Sequence, residues 1–143
     1  MADPRAFISF DFDHNEDEKT LFVGQSKNSR TPFDIQDWSA KEAMPQSQWE
    51  RIVKDKINRC NMVIVLVGKY MASATGVAKE IQMAKDQDVP IFGVYVGGAN
   101  SQSTLPAGLQ RNRTIDWDWQ KIADMIDQMM KEGKNAAQKR SWW

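Results

Sequence analysis

Several side chains along this sequence are of types that do chemistry. They are Asp11, Asp13 and His14 in "FDFDHNED", Asp37 and Ser39 in "QDWS", and Glu80 in "YMASATGVAKEIQMAKDQDVPIFGV". Glu80 has the most unusual setting. Helical neighbours lie three and four residues apart. By that spacing Val77, Ile81 and Ala84 form an inward stripe, and Glu80 lies on its border with Gly76 one turn back. A carboxylate there is either a snorkelling surface charge or a group placed for chemistry. Asp11 and Asp13 follow an apolar run and suit a metal-assisted phosphoacceptor, which needs a further Asp at the end of the third strand. "VLVGK" offers none, so loop solvation or compensation of a helix N-terminus is the better reading. His14 reads as a surface or cap neighbour. Asp37 and Ser39 suit nucleotide hydroxyls, although capping of the next helix explains Ser39 equally well.

Composition narrows the classes. The chain has 143 residues, enough for one domain with a sizeable core,. Lys+Arg and Asp+Glu number 19 each, which argues against a nucleic-acid binder needing basic excess,. One His and one Cys argue against a zinc site, and the lone Cys60 excludes an internal disulfide framework,. No run approaches the ~18 apolar residues of a membrane span. "MADPRAFISF" lacks the layout of a signal peptide,. The expectation is a soluble cytoplasmic protein with no nucleic-acid or membrane partner.

The elements that must position these residues alternate in type. Arg5–Phe10 reads as the first strand, followed by an irregular helical segment ending near Gln25. "RTPFDIQDW" is a second strand limited by Pro32. Capping-box patterns stand at Ser39 with Glu42 and at Ser47 with Glu50. The second opens a helix whose buried stripe is Trp49, Ile52, Val53 and Ile57. "NMVIVLVG" is a continuous apolar run, as expected of a parallel strand covered on both faces. A helix over about Ser73 to Gln87 and a strand in "VPIFGVYVG" come next. A polar loop then leads to a short strand in "RTID". The last helix is amphipathic, with Trp119, Ile122, Ile126 and Met129 inward. Residues 1–133 are the expected domain, and 134–143 an unanchored tail.

This alternation predicts an α/β domain of flavodoxin-like, three-layer type with a mostly parallel five-stranded sheet. Ligands of such sheets sit outside the carboxyl ends of the strands at the switch point. That rule selects Phe10–Asp13, Asp37–Ser39, Gly68–Tyr70 and the start of the Glu80 helix.

With those segments in place, "FISFDFDHNED" and "VIVLVGKYMASATGVAKEI" together resemble the TIR and TIR-like domains. Ser9 and Phe10 match that family's first strand, and Ser73 and Glu80 with Ile81 match its later Ser and Glu-Leu or Glu-Ile pair. "PFDIQDWS" is similar to the bacterial branch used in anti-phage defence, including Thoeris systems. The resemblance runs from Arg5 to Val96. Gly76-Val77 stands where the family usually has Trp-Cys, and Trp38 and Tyr70 are the nearest aromatic substitutes.

The resemblance implies cleavage of NAD at the nicotinamide–ribose bond, with Glu80 as the catalytic carboxylate. Ser9, Phe10, Asp11, Asp37, Trp38, Ser39 and Gly76 are the implied substrate-binding residues. NAD is then substrate, with no cofactor or metal. The product is ADP-ribose or a cyclic isomer that signals to a separate effector, and self-association through TIR–TIR contacts is expected. The alternatives are a non-catalytic TIR interaction module and a nucleoside deoxyribosyltransferase-like enzyme.

Overall fold

A computed structural model describes residues 4–11, 13–28, 34–38 and 45–140. Five strands form one sheet: β1 (Arg5–Ser9), β2 (Asp34–Trp38), β3 (Met62–Val67), β4 (Ile91–Tyr95) and the two-residue β5 (Thr114–Ile115). Their spatial order is β2-β1-β3-β4-β5 and every pairing is parallel. This is the flavodoxin-like order expected from the alternation of elements. Among the described residues the α-helices are α1 (Glu16–Asn28), α2 (Gln46–Asn58), α3 (Thr75–Asp86), α4 (Trp119–Met129) and α5 (Gly133–Arg140).

Residue alternation along the strands divides the core into two layers. Phe7, Val63, Val65 and Val67 face α2 and α3, where Val53, Ile57, Val77 and Ile81 meet them. Ala6, Ile8, Met62, Ile64 and Leu66 face the other way, against Phe22 of α1 and Ile122, Ile126 and Met129 of α4. All six residues of β3 are buried, so its continuous apolar run reflects cover on both faces,.

Local chemistry moves several boundaries. β1 ends at Ser9 rather than Phe10, and β2 is confined to Asp34–Trp38, beyond Pro32. The capping box at Ser47 does not form: α2 starts at Gln46 behind Pro45, with no side-chain cap. Glu50 is instead held outward by Gln46 and Lys79, each 3.2 Å away. The Gln46 amide, then the Lys79 ammonium, draws its pKa below the usual carboxylate value. The Ser39–Glu42 pattern lies outside the described residues. Ile52, expected in the buried stripe, is 36% exposed, and Val53 and Ile57 carry the contact with partly buried Trp49 packed beside them. A 3-10 turn at Met71–Ser73 precedes α3, which begins two residues later than expected. The effective side-chain cap is Asp118, whose carboxylate accepts from Gln120 N and Lys121 N at the start of α4,.

The expectation of an unanchored tail from residue 134 is corrected at its first residues. Asn135 is buried within α5, and its Nδ2 donates to the Asn61 and Met129 carbonyls at 2.8 and 3.0 Å. Asn61 Nδ2 returns a bond to Asn135 Oδ1 at 3.0 Å, while its Oδ1 accepts from Arg5 N. Side-chain amides thus tie α5 to the amino ends of β1 and β3. Periodicity does not reveal such a clasp, because it depends on two asparagines 74 positions apart.

Candidate functional site

The strand order puts the topological switch between β1 and β3, whose following helices lie on opposite faces,. Ligands of open parallel sheets bind beside the loops that follow such strands, at the carboxyl rim. At that rim Ser9, the last residue of β1, points into the α2/α3 layer along with Phe7. Glu80 reaches it from α3: Ser9 Oγ donates to Glu80 Oε1 at 2.6 Å. Ser9 is fully buried and Glu80 is 1% exposed. The carboxylate therefore lies inside the helix's buried face, flanked by Val77, Ile81, Met83 and Ala84, rather than on its border. Burying a polar group is costly unless hydrogen bonds compensate it, and Ser9 supplies one such bond. The site needs this serine at an inward strand position, since a residue of either neighbouring parity would face the other layer.

Asp11, two residues beyond Ser9, organises the loop after β1. Its backbone carbonyl accepts from His14 N and Asn15 N, its Oδ1 from Asp13 N at 3.1 Å, and its Oδ2 contacts His14 Nδ1 at 2.6 Å. The His14 ring stacks on Tyr70 from the loop after β3, with centroids 4.1 Å apart and planes 23° apart. This stack joins the loops after β1 and β3. Below it, Asn15 packs against the backbone of Gly68. A Cβ at Gly68 would lie 2.2 Å from Asn15 Oδ1, so only glycine admits this approach,.

The other expected site residues separate. Phe10 belongs to the α1/α4 layer, beneath the Lys19 ammonium, and so sits on the opposite side of the sheet from Glu80. Gly76, one turn before Glu80, borders open space: a Cβ there would meet nothing within 4 Å. Ser73 is exposed, and its hydroxyl bonds the Tyr70 carbonyl within the 3-10 turn. Asp37 and Trp38 are placed by backbone register only, paired with Phe7 and Ile8 across from β1. Ser39 lies outside the described residues. The Asp11–His14 pair, Asn15 and Gly68 are site features that the sequence reading did not single out as partners. Their available signal was the D-x-x-H-N spacing just after a strand.

A separate cleft of about 330 Å³ opens at the amino end of β4, among Lys85, Pro90, Gly108, Leu109, Arg113 and Glu132. It lies at the opposite sheet end from the Ser9–Glu80 pair, and its Arg113 and Glu132 bond each other at 2.5 Å. No cluster of ligating side chains suited to a metal exists among the described residues. No helix among them is long and apolar enough to cross a membrane.

A parallel sheet of this order, with helices on both faces and a strand-end serine on a buried helical glutamate, defines a TIR-like α/β domain. Residues 7–101 match the model of the family described as "Thoeris protein ThsB, TIR-like domain", and the chain belongs to that family. Among solved structures it is similar to a prokaryotic SEFIR domain, at 14% identity and TM-score 0.49 with 90% of each chain covered. It is also similar to the TIR domains of the activated Roq1 resistosome recognising the effector XopQ. That match has 20% identity, TM-score 0.42, and covers 64% of this chain and 57% of the other. No curated protein matches the chain.

Proposed function

We propose that this domain cleaves NAD at the nicotinamide–ribose bond and releases an ADP-ribose-type signalling molecule in anti-phage immunity. The observation that carries the reading is the buried Ser9–Glu80 pair at the carboxyl end of β1. Family membership and the open space beside Gly76 support it. The pyridinium of NAD is already a cationic leaving group, so its departure requires no general acid. Positive charge gathers on the ribose as the bond breaks. A fixed carboxylate beside the sugar offsets that charge, and such electrostatic preorganisation is usually the largest catalytic term. The logic is that of glycosidase oxocarbenium chemistry with the acid partner omitted. Ser9 orients the carboxylate, and Gly76 leaves room for the sugar.

Glu80 meets almost no solvent, so a sugar reaches it only when its cover parts. Self-association, general among TIR domains, is the event we assign to that opening. The same burial favours the second reading, a non-catalytic interaction module in which Ser9–Glu80 is a core contact. The two are separated by incubating the full chain with NAD over a wide concentration range and measuring nicotinamide. The enzyme reading expects turnover per subunit to rise with concentration and Glu80→Ala to abolish it. Absence of nicotinamide at every concentration, with or without crowding agent, leaves the interaction module. Offering deoxynucleosides in place of NAD tests the deoxyribosyltransferase alternative.

A further inference from the structure

Resting on the NAD-cleaving reading, we propose that the Asp11–His14 pair is the proton acceptor of the same site. It takes the proton from the hydroxyl that captures the ribosyl cation.

The geometry is that of an oriented imidazole base. A carboxylate only accepts hydrogen bonds, so the 2.6 Å contact assigns the shared proton to His14 Nδ1,. In the neutral ring the lone pair is then on Nε2, the nitrogen that serves as base when the ring is held this way. Nε2 has no hydrogen bond among the described residues. Asp11 is itself fixed, because its second oxygen accepts from Asp13 N and its side chain is 7% exposed. The ring, packed on Tyr70 with 40% of its side chain exposed, is both held and open on one side. A surface histidine held by chance has no reason to combine a buried carboxylate partner with an aromatic platform from a second loop.

Its location suits the task. Asp11 follows Ser9 by two residues, and the His14–Tyr70 stack bridges the loops after β1 and β3 at the switch point. Departure of nicotinamide needs no acid, but capture of the cation by water or a sugar hydroxyl releases a proton. In the step we assign, the C1′–N bond breaks and its electron pair stays with nicotinamide, which leaves neutral. The incoming oxygen forms the C1′–O bond, and its proton moves to His14 Nε2. The resulting imidazolium is balanced by Asp11, and nothing is oxidised or reduced. Glu80 stabilises the cation, while the Asp11–His14 pair serves the nucleophile.

The test makes two nucleophiles compete. The full chain, at a concentration where it turns over, is given NAD and an added pyridine base. Capture by a hydroxyl requires loss of a proton; capture by the pyridine nitrogen does not. His14→Asn and His14→Gln are each expected to lower the ratio of hydroxyl-derived product to exchanged dinucleotide by about 10²-fold, the lower end of what a positioned proton acceptor contributes. Asp11→Asn lowers it less, and imidazole restores part of it in His14→Ala. An unchanged ratio in both His14 variants overturns the proposal. So does a parallel fall of both products without imidazole rescue, which marks His14 as a structural lock. Failure of the wild-type chain to release nicotinamide is a different outcome, which removes the NAD reading and this inference with it.

Discussion

Ser9 and Glu80, 71 positions apart, meet through a 2.6 Å hydrogen bond with both side chains withdrawn from solvent. Removing one partner of a buried hydrogen bond leaves the other to bear its desolvation alone, whereas replacing both with apolar groups of similar shape is close to neutral. Ser9→Ala is therefore expected to cost about 2 kcal/mol, a fall in Tm of roughly 6–8 °C. Ser9→Ala with Glu80→Met should recover at least half of that loss while abolishing nicotinamide release. Thermal denaturation of the wild type and the two variants checks this. A double variant no more stable than Ser9→Ala shows that the pair is not what the single substitution disturbs.

Asn15 and Gly68 form a second paired constraint. A methyl at Gly68 meets the buried Asn15 side chain at 2.2 Å, and Asn15 Oδ1 has no hydrogen-bond partner among the described residues. Gly68→Ala forces that side chain or the loop aside, and overpacking of this kind costs about 1–3 kcal/mol. In an Asn15→Ala background the clash is gone. The two substitutions should be non-additive by about 1 kcal/mol or more in a double-mutant cycle measured by urea denaturation. Additive effects would mean that the loop relaxes freely around the new methyl.

The clasp between Asn61 and Asn135 predicts a role for α5 in stability. Asn135 Nδ2 supplies both the Asn61 and Met129 carbonyls, and Asn135 Oδ1 accepts from Asn61. Asn135→Ala removes the side-chain partner of the Asn61 amide nitrogen and of the Asn61 and Met129 carbonyls, the last of which keeps its bond from Glu132 N. We expect a loss of about 2 kcal/mol, seen as a lower midpoint in denaturant with an unchanged slope. Deletion from residue 134 onward should cost at least as much. A deletion variant with wild-type stability would restore the picture of an unanchored tail.

These contacts show where the sequence was readable and where it was not. The sheet order and both core layers follow from local patterns: the apolar run of β3, the three-and-four spacing in α3 and α4, and the polar breaks between them. Each of those signals lies within a dozen residues. The burial of Glu80 was misjudged because helical spacing locates a face but not its width, and the donor that makes burial tolerable comes from β1. Phe10 was placed with the site by motif order and by its position at the carboxyl end of β1, although strand parity puts it on the opposite side of the sheet from Ser9. The Ser47–Glu50 cap failed because α2 starts at Gln46 behind Pro45, which puts Ser47 inside the helix rather than before it. Asn135, Asn15 and the His14–Tyr70 stack depend on pairs that no local window contains.

The amino end of the sheet carries a pH-dependent tie. Arg113, just before β5, donates to Glu132 beyond α4 at 2.5 and 3.4 Å and to the Ile91 carbonyl at 3.1 Å. The Arg113 guanidinium holds the Glu132 carboxyl below its ordinary value of 4.5, with burial opposing and Gln128 adding to the effect. A carboxyl whose pKa is lower in the folded state contributes stability that is fully present above its unfolded value. That contribution is lost as pH falls through the folded value. Glu132→Gln should therefore be less stable than the wild type at neutral pH by about 1 kcal/mol, a figure discounted for the partial exposure of the pair. The difference should persist down to about pH 4.5 and then shrink as the wild-type carboxylate takes up its proton. Denaturant midpoints of both proteins between pH 7 and pH 3 measure it. A gap that stays constant to pH 3 would assign the effect of the substitution to packing rather than to charge.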